Sequence, residues 1–137
     1  MSIHHLQIWV PDLPRAEESW GWLLDELGYE LARSWEHGRV WRHEDSATAI
    51  VIESSPDMVP GMLFSRLRPG MNHVAFHADL EAIAGLADAA GAHGWERLGG
   101  ENGHPLPRDT SVLYLEDRDG FEVELIAPSA EGPHGGD

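Results

Sequence analysis

No cysteine occurs anywhere in the 137 residues, which removes disulfides, thiolate nucleophiles and cysteine-ligated zinc together. The absence permits a reducing cytosol. Positive charge is scarce as well, with 9 Lys+Arg against 24 Asp+Glu and a formal net charge of -15. Such a chain repels phosphate backbones and anionic lipid heads, so nucleic acid and membrane surfaces are not expected partners. The N-terminus lacks a basic flank followed by an apolar core, and no apolar run is long enough to span a bilayer. A cytoplasmic location is expected. The acidic residues are scattered rather than blocked and describe a solvated surface. What remains is the length of one compact domain, 1–137. Only "SAEGPHGGD" at 129–137, short, polar and rich in Gly, is expected to be disordered.

What is present is a repeat. "IHHLQIWVPDL" at 3–13 is echoed by "NHVAFHADL" at 72–80. Leu6, Ile8 and Val10 alternate with His5, Gln7 and Trp9, the period-two pattern of a strand with one apolar face. A helix is expected next: Asp12 as cap, Pro14 in the first turn, a stripe of Ala16, Trp20, Leu23, Leu24 and Leu27, and Gly28 as terminator. The second half repeats these signals with Val74, Phe76 and Ala78, Asp79 as cap, the stripe Ile83, Leu86, Ala87 and Ala90, and Gly94. "HEDSATAIVIESSP" (43–56) can be laid without a gap on "LEDRDGFEVELIAP" (115–128), each a turn entering a strand. Further strands are expected around 31–34, 38–42, 96–98 and 111–115. Each half is thus predicted to be βαβββ, module 1 over 1–56 and module 2 over 71–128, with 57–70 as the linker. Two copies of about seventy residues are too long and too few for a solenoid, which favours duplication with pseudo-twofold pairing.

These residues, and above all "EDRDGFEVELI", make the chain resemble the vicinal-oxygen-chelate superfamily of glyoxalase I, bleomycin- and fosfomycin-resistance proteins and extradiol dioxygenases. The resemblance covers nearly the whole chain. It implies an α+β fold in which two βαβββ modules form an open, barrel-like mixed sheet around a cavity, helices outside, with ligands from both modules holding a divalent metal. Carried over residue by residue, it puts the metal ligands at His5, His73 and Glu124. The strand pattern agrees, because the apolar faces Leu6-Ile8-Val10, Val74-Phe76-Ala78 and Phe121-Val123-Leu125 should meet the helices and leave those three opposite. Imidazole and carboxylate suit Fe, Mn, Ni, Zn or Co and leave positions open for a pair of substrate oxygens. His4 is expected to point away from His5; a slip of one residue would exchange their roles.

Glyoxalase I presents a fourth ligand from the end of its first module, and the ungapped overlay puts Ile52 there, with Glu53 facing the helix side or the rim unless a bulge turns it inward. This favours a three-ligand site. His77, two pleats from His73, is a candidate acid or base, and Tyr114 and Glu122 are candidates beside it. Gln7 and Trp9 share the face of His5 and, with Trp41, are expected to line a substrate pocket. The segment 99–109, containing His104 and Arg108, suits a loop at the cavity mouth. Two functions follow. One is a metal-dependent lyase or isomerase, ahead of a ring-cleaving dioxygenase, acting on a small oxygenated substrate. The other is metal-free sequestration of a drug or natural product, for which acidity and tryptophans would suit a cationic aromatic ligand. A homodimer is the expected assembly.

Overall fold

The structure, a computed structural model, describes residues 1–98 and 110–128. The expected mouth loop at 99–109 and the expected disordered tail at 129–137 lie outside the described residues. The first half runs β1 (His5–Trp9), α1 (Leu13–Glu26), β2 (Tyr29–Trp35), β3 (Gly38–His43) and β4 (Ala49–Glu53). The second runs β5 (His73–His77), α2 (Leu80–Ala89), a 3-10 turn (Ala90–His93), β6 (Glu96–Leu98), β7 (Thr110–Glu116) and β8 (Glu122–Pro128). The fold is therefore α+β, built of two βαβββ modules. Their sheets repeat one topology, β1-β4-β3-β2 and β5-β8-β7-β6. In each, the first strand pairs in parallel with the last and the remaining pairs are antiparallel.

α1 forms where its signals stand. Asp12 accepts a hydrogen bond from the Arg15 backbone N–H at 2.9 Å, a proline occupies the first turn, and Gly28 takes φ 89°, a conformation that lacks a steric cost only for glycine. Its buried stripe is Leu13, Ala16, Trp20, Leu23 and Leu24, and the helix lies against β2, β3 and β4 of the sheet, where Ile50 and Ile52 are buried. An ion pair between Arg39 of β3 and Glu17 of α1 fastens the helix to an interior strand of the sheet. α2 is weaker. Asp79 holds the cap position but its side chain makes no capping hydrogen bond, contrary to expectation; Glu81 supplies the first-turn negative charge that suits the helix dipole. Only Leu86 of α2 is fully buried, and the chain tightens into the 3-10 turn before Gly94, φ 85°, releases it.

Close contacts group the chain into Met1–Leu63 and Phe64–Asp137, a division that falls inside the stretch expected as a linker. Phe64 stacks on Phe121, ring centroids 4.0 Å apart, so residues from 64 onward belong to the second unit. Among the described residues no helix is long and apolar enough to cross a membrane.

Backbone hydrogen bonds at the strand ends give the correspondence between modules directly. Val10 N–H donates to Glu53 O and Ala78 N–H to Ile126 O, both at 2.9 Å. Glu53 therefore corresponds to Ile126, and Val51, not Ile52, corresponds to Glu124. The ungapped overlay is one residue out of register. Because side chains alternate, that single residue exchanges the faces of Ile52 and Glu53.

Candidate active site

In the second module, strand alternation sorts side chains between two faces. Val74, Phe76, Val123, Leu125, Leu113 and Leu115 form one, toward α2. His73 and His77 of β5, Glu122 and Glu124 of β8, and Tyr114 of β7 stand on the other: Tyr114 is paired with Glu124, and His73 with Glu122. The expected acid–base and ligand residues of this half thus share one face. His77 is solvent-exposed near the end of its strand.

Two carboxylates on that face are removed from water, Glu122 at 2% exposure and Glu124 at 5%. Burying an ionised carboxylate costs several kcal/mol unless charge and hydrogen bonds compensate, typically about 1–3 kcal/mol for one uncompensated polar group. Basic side chains stand close by. His73 Nε2 lies 3.0 Å from Glu124 Oε2, Arg66 Nη1 lies 3.6 Å from Glu122 Oε2, and His73 Nδ1 is 3.9 Å from the same oxygen. Arg66 comes from the segment entering β5, which covers this part of the sheet. Burial pushes the Tyr114 phenol up to about 12, and the nearby charges of Glu124 and then Glu122 add to the effect. The phenol keeps its proton across the physiological range and offers an O–H donor beside the carboxylates.

The first module is more open. His5, Gln7 and Trp9 lie opposite the helix face, and Trp9 is 45% exposed. Glu53, paired with Trp9, turns to this face and accepts a hydrogen bond from Gln7 Nε2 at 3.3 Å. Sequence alternation had Glu53 on the other side because of the register offset described above. His4 does not point away from His5: their Nδ1 atoms are 2.8 Å apart and the rings are nearly perpendicular, at 83°. His4 precedes β1, so strand alternation does not govern it. Trp41 belongs elsewhere than expected. It pairs with Ile50 on the helix face, is 4% exposed, and its Cζ2 would lie 3.5 Å from a Cβ at Gly21 of α1. It is a core residue beneath α1 rather than a wall of the His5 face.

Among the described residues, no group of three His, Asp or Glu side chains gathers at metal-ligating spacing. His73 and Glu124 are two of the three expected ligands, and they are in contact.

The family model of the Glyoxalase/Bleomycin resistance protein/Dioxygenase superfamily matches residues 4–106. The chain belongs to this superfamily. It is 33% identical over 130 residues to the uncharacterized protein YqjT of Bacillus subtilis (strain 168), covering 93% of this chain and 99% of that one. Among solved structures, it is similar to a Bacillus halodurans protein assigned to the glyoxalases, at 34% identity and a TM-score of 0.80 over 92% and 95% of the two chains. It also shares its fold with a variant of the fosfomycin resistance protein FosX of Listeria monocytogenes solved with Mn(II) and 1S,2S-dihydroxypropylphosphonic acid, at 20% identity and a TM-score of 0.67 over 95% and 94%.

Within the superfamily frame, the residue in module 1 that corresponds to Glu124 is Val51, which has no donor atom. Val51, rather than the Ile52 that sequence overlay suggested, holds this place in module 1. Arg66 was missed because 57–70, with neither helical nor strand period, reads as a linker, and Asn72, though it begins the repeated stretch, was given no role. The one signal was local: Asn72 immediately precedes the histidine that opens β5.

Proposed function

We propose that the chain is a divalent-metal-dependent enzyme acting on a small substrate that presents two neighbouring oxygens, with lyase or isomerase chemistry ahead of oxygen-dependent ring cleavage. The observation that carries this reading is the 3.0 Å contact between His73 Nε2 and the buried Glu124 carboxylate. An imidazole nitrogen and a carboxylate oxygen at this spacing are donors that suit a divalent cation, and a bound cation would offset the cost of dehydrating the carboxylate. The donor atoms are of the right kind: His73 and Glu124 would hold the ion, with His5 as the third ligand from the corresponding strand of module 1. Fe, Mn, Ni, Zn and Co are all compatible with two imidazoles and a carboxylate. When bound, such an ion supplies Lewis acidity toward two substrate oxygens or an acidified water.

The chain's own groups take the remaining tasks. Glu122, held in place by Arg66, is the buried carboxylate next to the ligands and the candidate proton acceptor. Tyr114 retains its proton and donates a hydrogen bond to developing negative charge. His77 stands at the exposed end of the same face as an acid or base. Gln7 and Trp9 orient the substrate from the first module, and a homodimer is the proposed assembly.

Metal analysis of protein purified without chelator tests this reading, followed by turnover assays on hemithioacetals, catechols and epoxides with Ni(II), Mn(II), Zn(II) or Fe(II). About one metal per pocket, lost in His73→Ala while the protein stays folded, is the expected result. The alternative is metal-free sequestration of a drug or natural product, for which the chain's acidity and tryptophans would suit a cationic aromatic ligand. Tight binding of a polycyclic drug, indifferent to metal removal and with no turnover, would replace the enzyme reading with it.

A further inference from the structure

The geometry points to Asn72 as the positioning residue that selects which nitrogen of His73 ligates. This rests on the reading of His73 as a ligand, but the chain of hydrogen bonds behind it stands independently. Asn72 Nδ2 lies 2.9 Å from the backbone oxygen of Arg66. A carbonyl can only accept, so the amide nitrogen of Asn72 must face it and the orientation of the amide is settled. Asn72 Oδ1 is then the atom 2.8 Å from His73 Nδ1. An amide oxygen can only accept too, so Nδ1 must carry a proton.

That assignment leaves Nε2, and Nε2 is the nitrogen 3.0 Å from Glu124 Oε2. The acceptor that holds Nδ1–H thus aims the other nitrogen at the carboxylate with which it would share a cation. Ligating histidines are generally oriented by an acceptor on the far ring nitrogen, and loss of that acceptor commonly lowers metal affinity by about 10–100-fold. Here the acceptor is supplied by a residue anchored in turn to the strap over the site. Ser65 builds the turn that presents Arg66, its hydroxyl accepting from Leu67 N–H at 3.2 Å and its carbonyl from Arg68 N–H at 3.2 Å. One short segment therefore positions both Glu122, through the Arg66 guanidinium, and His73, through the Arg66 carbonyl and Asn72.

Two measurements test the role. Zn(II) titration by calorimetry of the wild type, Asn72→Ala and Asn72→Asp should show affinity falling about 10–100-fold in the alanine variant. Most of that loss should return in Asn72→Asp, which keeps an acceptor for Nδ1–H. Nitrogen NMR of histidine-labelled protein should show Nε2 as the zinc-bound atom and Nδ1 protonated in the wild type. In metal-free Glu124→Gln, where no carboxylate faces Nε2 to draw the ring proton there, the neutral His73 ring should be the Nδ1–H tautomer. An Nε2–H tautomer there, Nδ1 coordination, or wild-type affinity in Asn72→Ala would each overturn the proposal. If no form of the protein binds metal, the ligand reading fails, while the tautomer in Glu124→Gln still decides what Asn72 does.

Discussion

Arg66 Nη1 stands 3.6 Å from Glu122 Oε2, and the carboxylate so covered is almost wholly withdrawn from water. The two residues are 56 apart in sequence, so the contact pins the segment entering β5 to the middle of the second sheet. Removing one partner of a buried pair leaves the other charge dehydrated, which generally costs about 3–5 kcal/mol. His73 stays near Glu122 and offsets part of that loss. Arg66→Met should therefore destabilise by about 2 kcal/mol, and adding Glu122→Gln should recover about half. Urea unfolding of both single variants and the double variant measures the coupling; strict additivity would mean that the pair is not energetically joined.

The helix caps should behave unequally although the sequence presents them as equals. Asp12 accepts from Arg15 N–H, whereas Asp79 makes no capping bond. Asp12→Ala should cost about 1 kcal/mol and Asp79→Ala only a few tenths. Equal losses in chemical denaturation would show that Asp79 caps α2 in solution.

These two aspartates indicate how much of the fold was legible beforehand. Element type and order followed from hydrophobic period, and the strands came out as expected, with β2 and β7 starting one or two residues early. Periodicity reports which residues share a face, but it does not report pairing register between distant strands. That is why Ile52 and Glu53 exchanged faces. Trp41 was misplaced because its strand alternates imperfectly: Val40 and Trp41 are both large and apolar, and only pairing with Ile50 decides which of them meets the helix. His73, Glu122, Glu124 and Tyr114 were legible as one face because Val74 and Phe76, Leu113 and Leu115, and Val123 and Leu125 alternate with them. Arg66 and Asn72 were not, since their roles depend on a turn that folds back over the sheet.

Both tyrosines of the chain should titrate late. Burial raises Tyr29, and burial with the charges of Glu124 and Glu122 pushes Tyr114 up to about 12. A folded-state value above the unfolded 10.0 means that the unfolded chain releases its proton first. The stabilisation is thus complete below pH 10 and is lost as pH rises toward about 12. Absorbance at 295 nm should stay flat through pH 10 in the native protein and rise with unfolding. Tyr114→Phe should show less decline in stability across that window than the wild type. A full tyrosinate signal near pH 10 from folded protein would contradict the burial of both phenols.

The third ligand is best tested by contrasting neighbouring histidines. His5 opens β1 on the face opposite α1, in the place that His73 holds in β5, and is the proposed ligand; His4 touches it through Nδ1 at 2.8 Å. If His5 binds through Nε2, its Nδ1 is left for His4, which then acts as an orienting neighbour. His5→Ala should accordingly lose affinity for Zn(II) by more than about 100-fold, and His4→Ala by about 10-fold, the lower end of what a supporting residue contributes. His4→Gln, which keeps an acceptor, should sit close to the wild type. The opposite ranking would show that His4 is the ligand and that β1 begins one residue earlier when metal is bound. Negligible loss in both alanine variants, with His73→Ala still abolishing binding, would move the third ligand out of the first strand altogether.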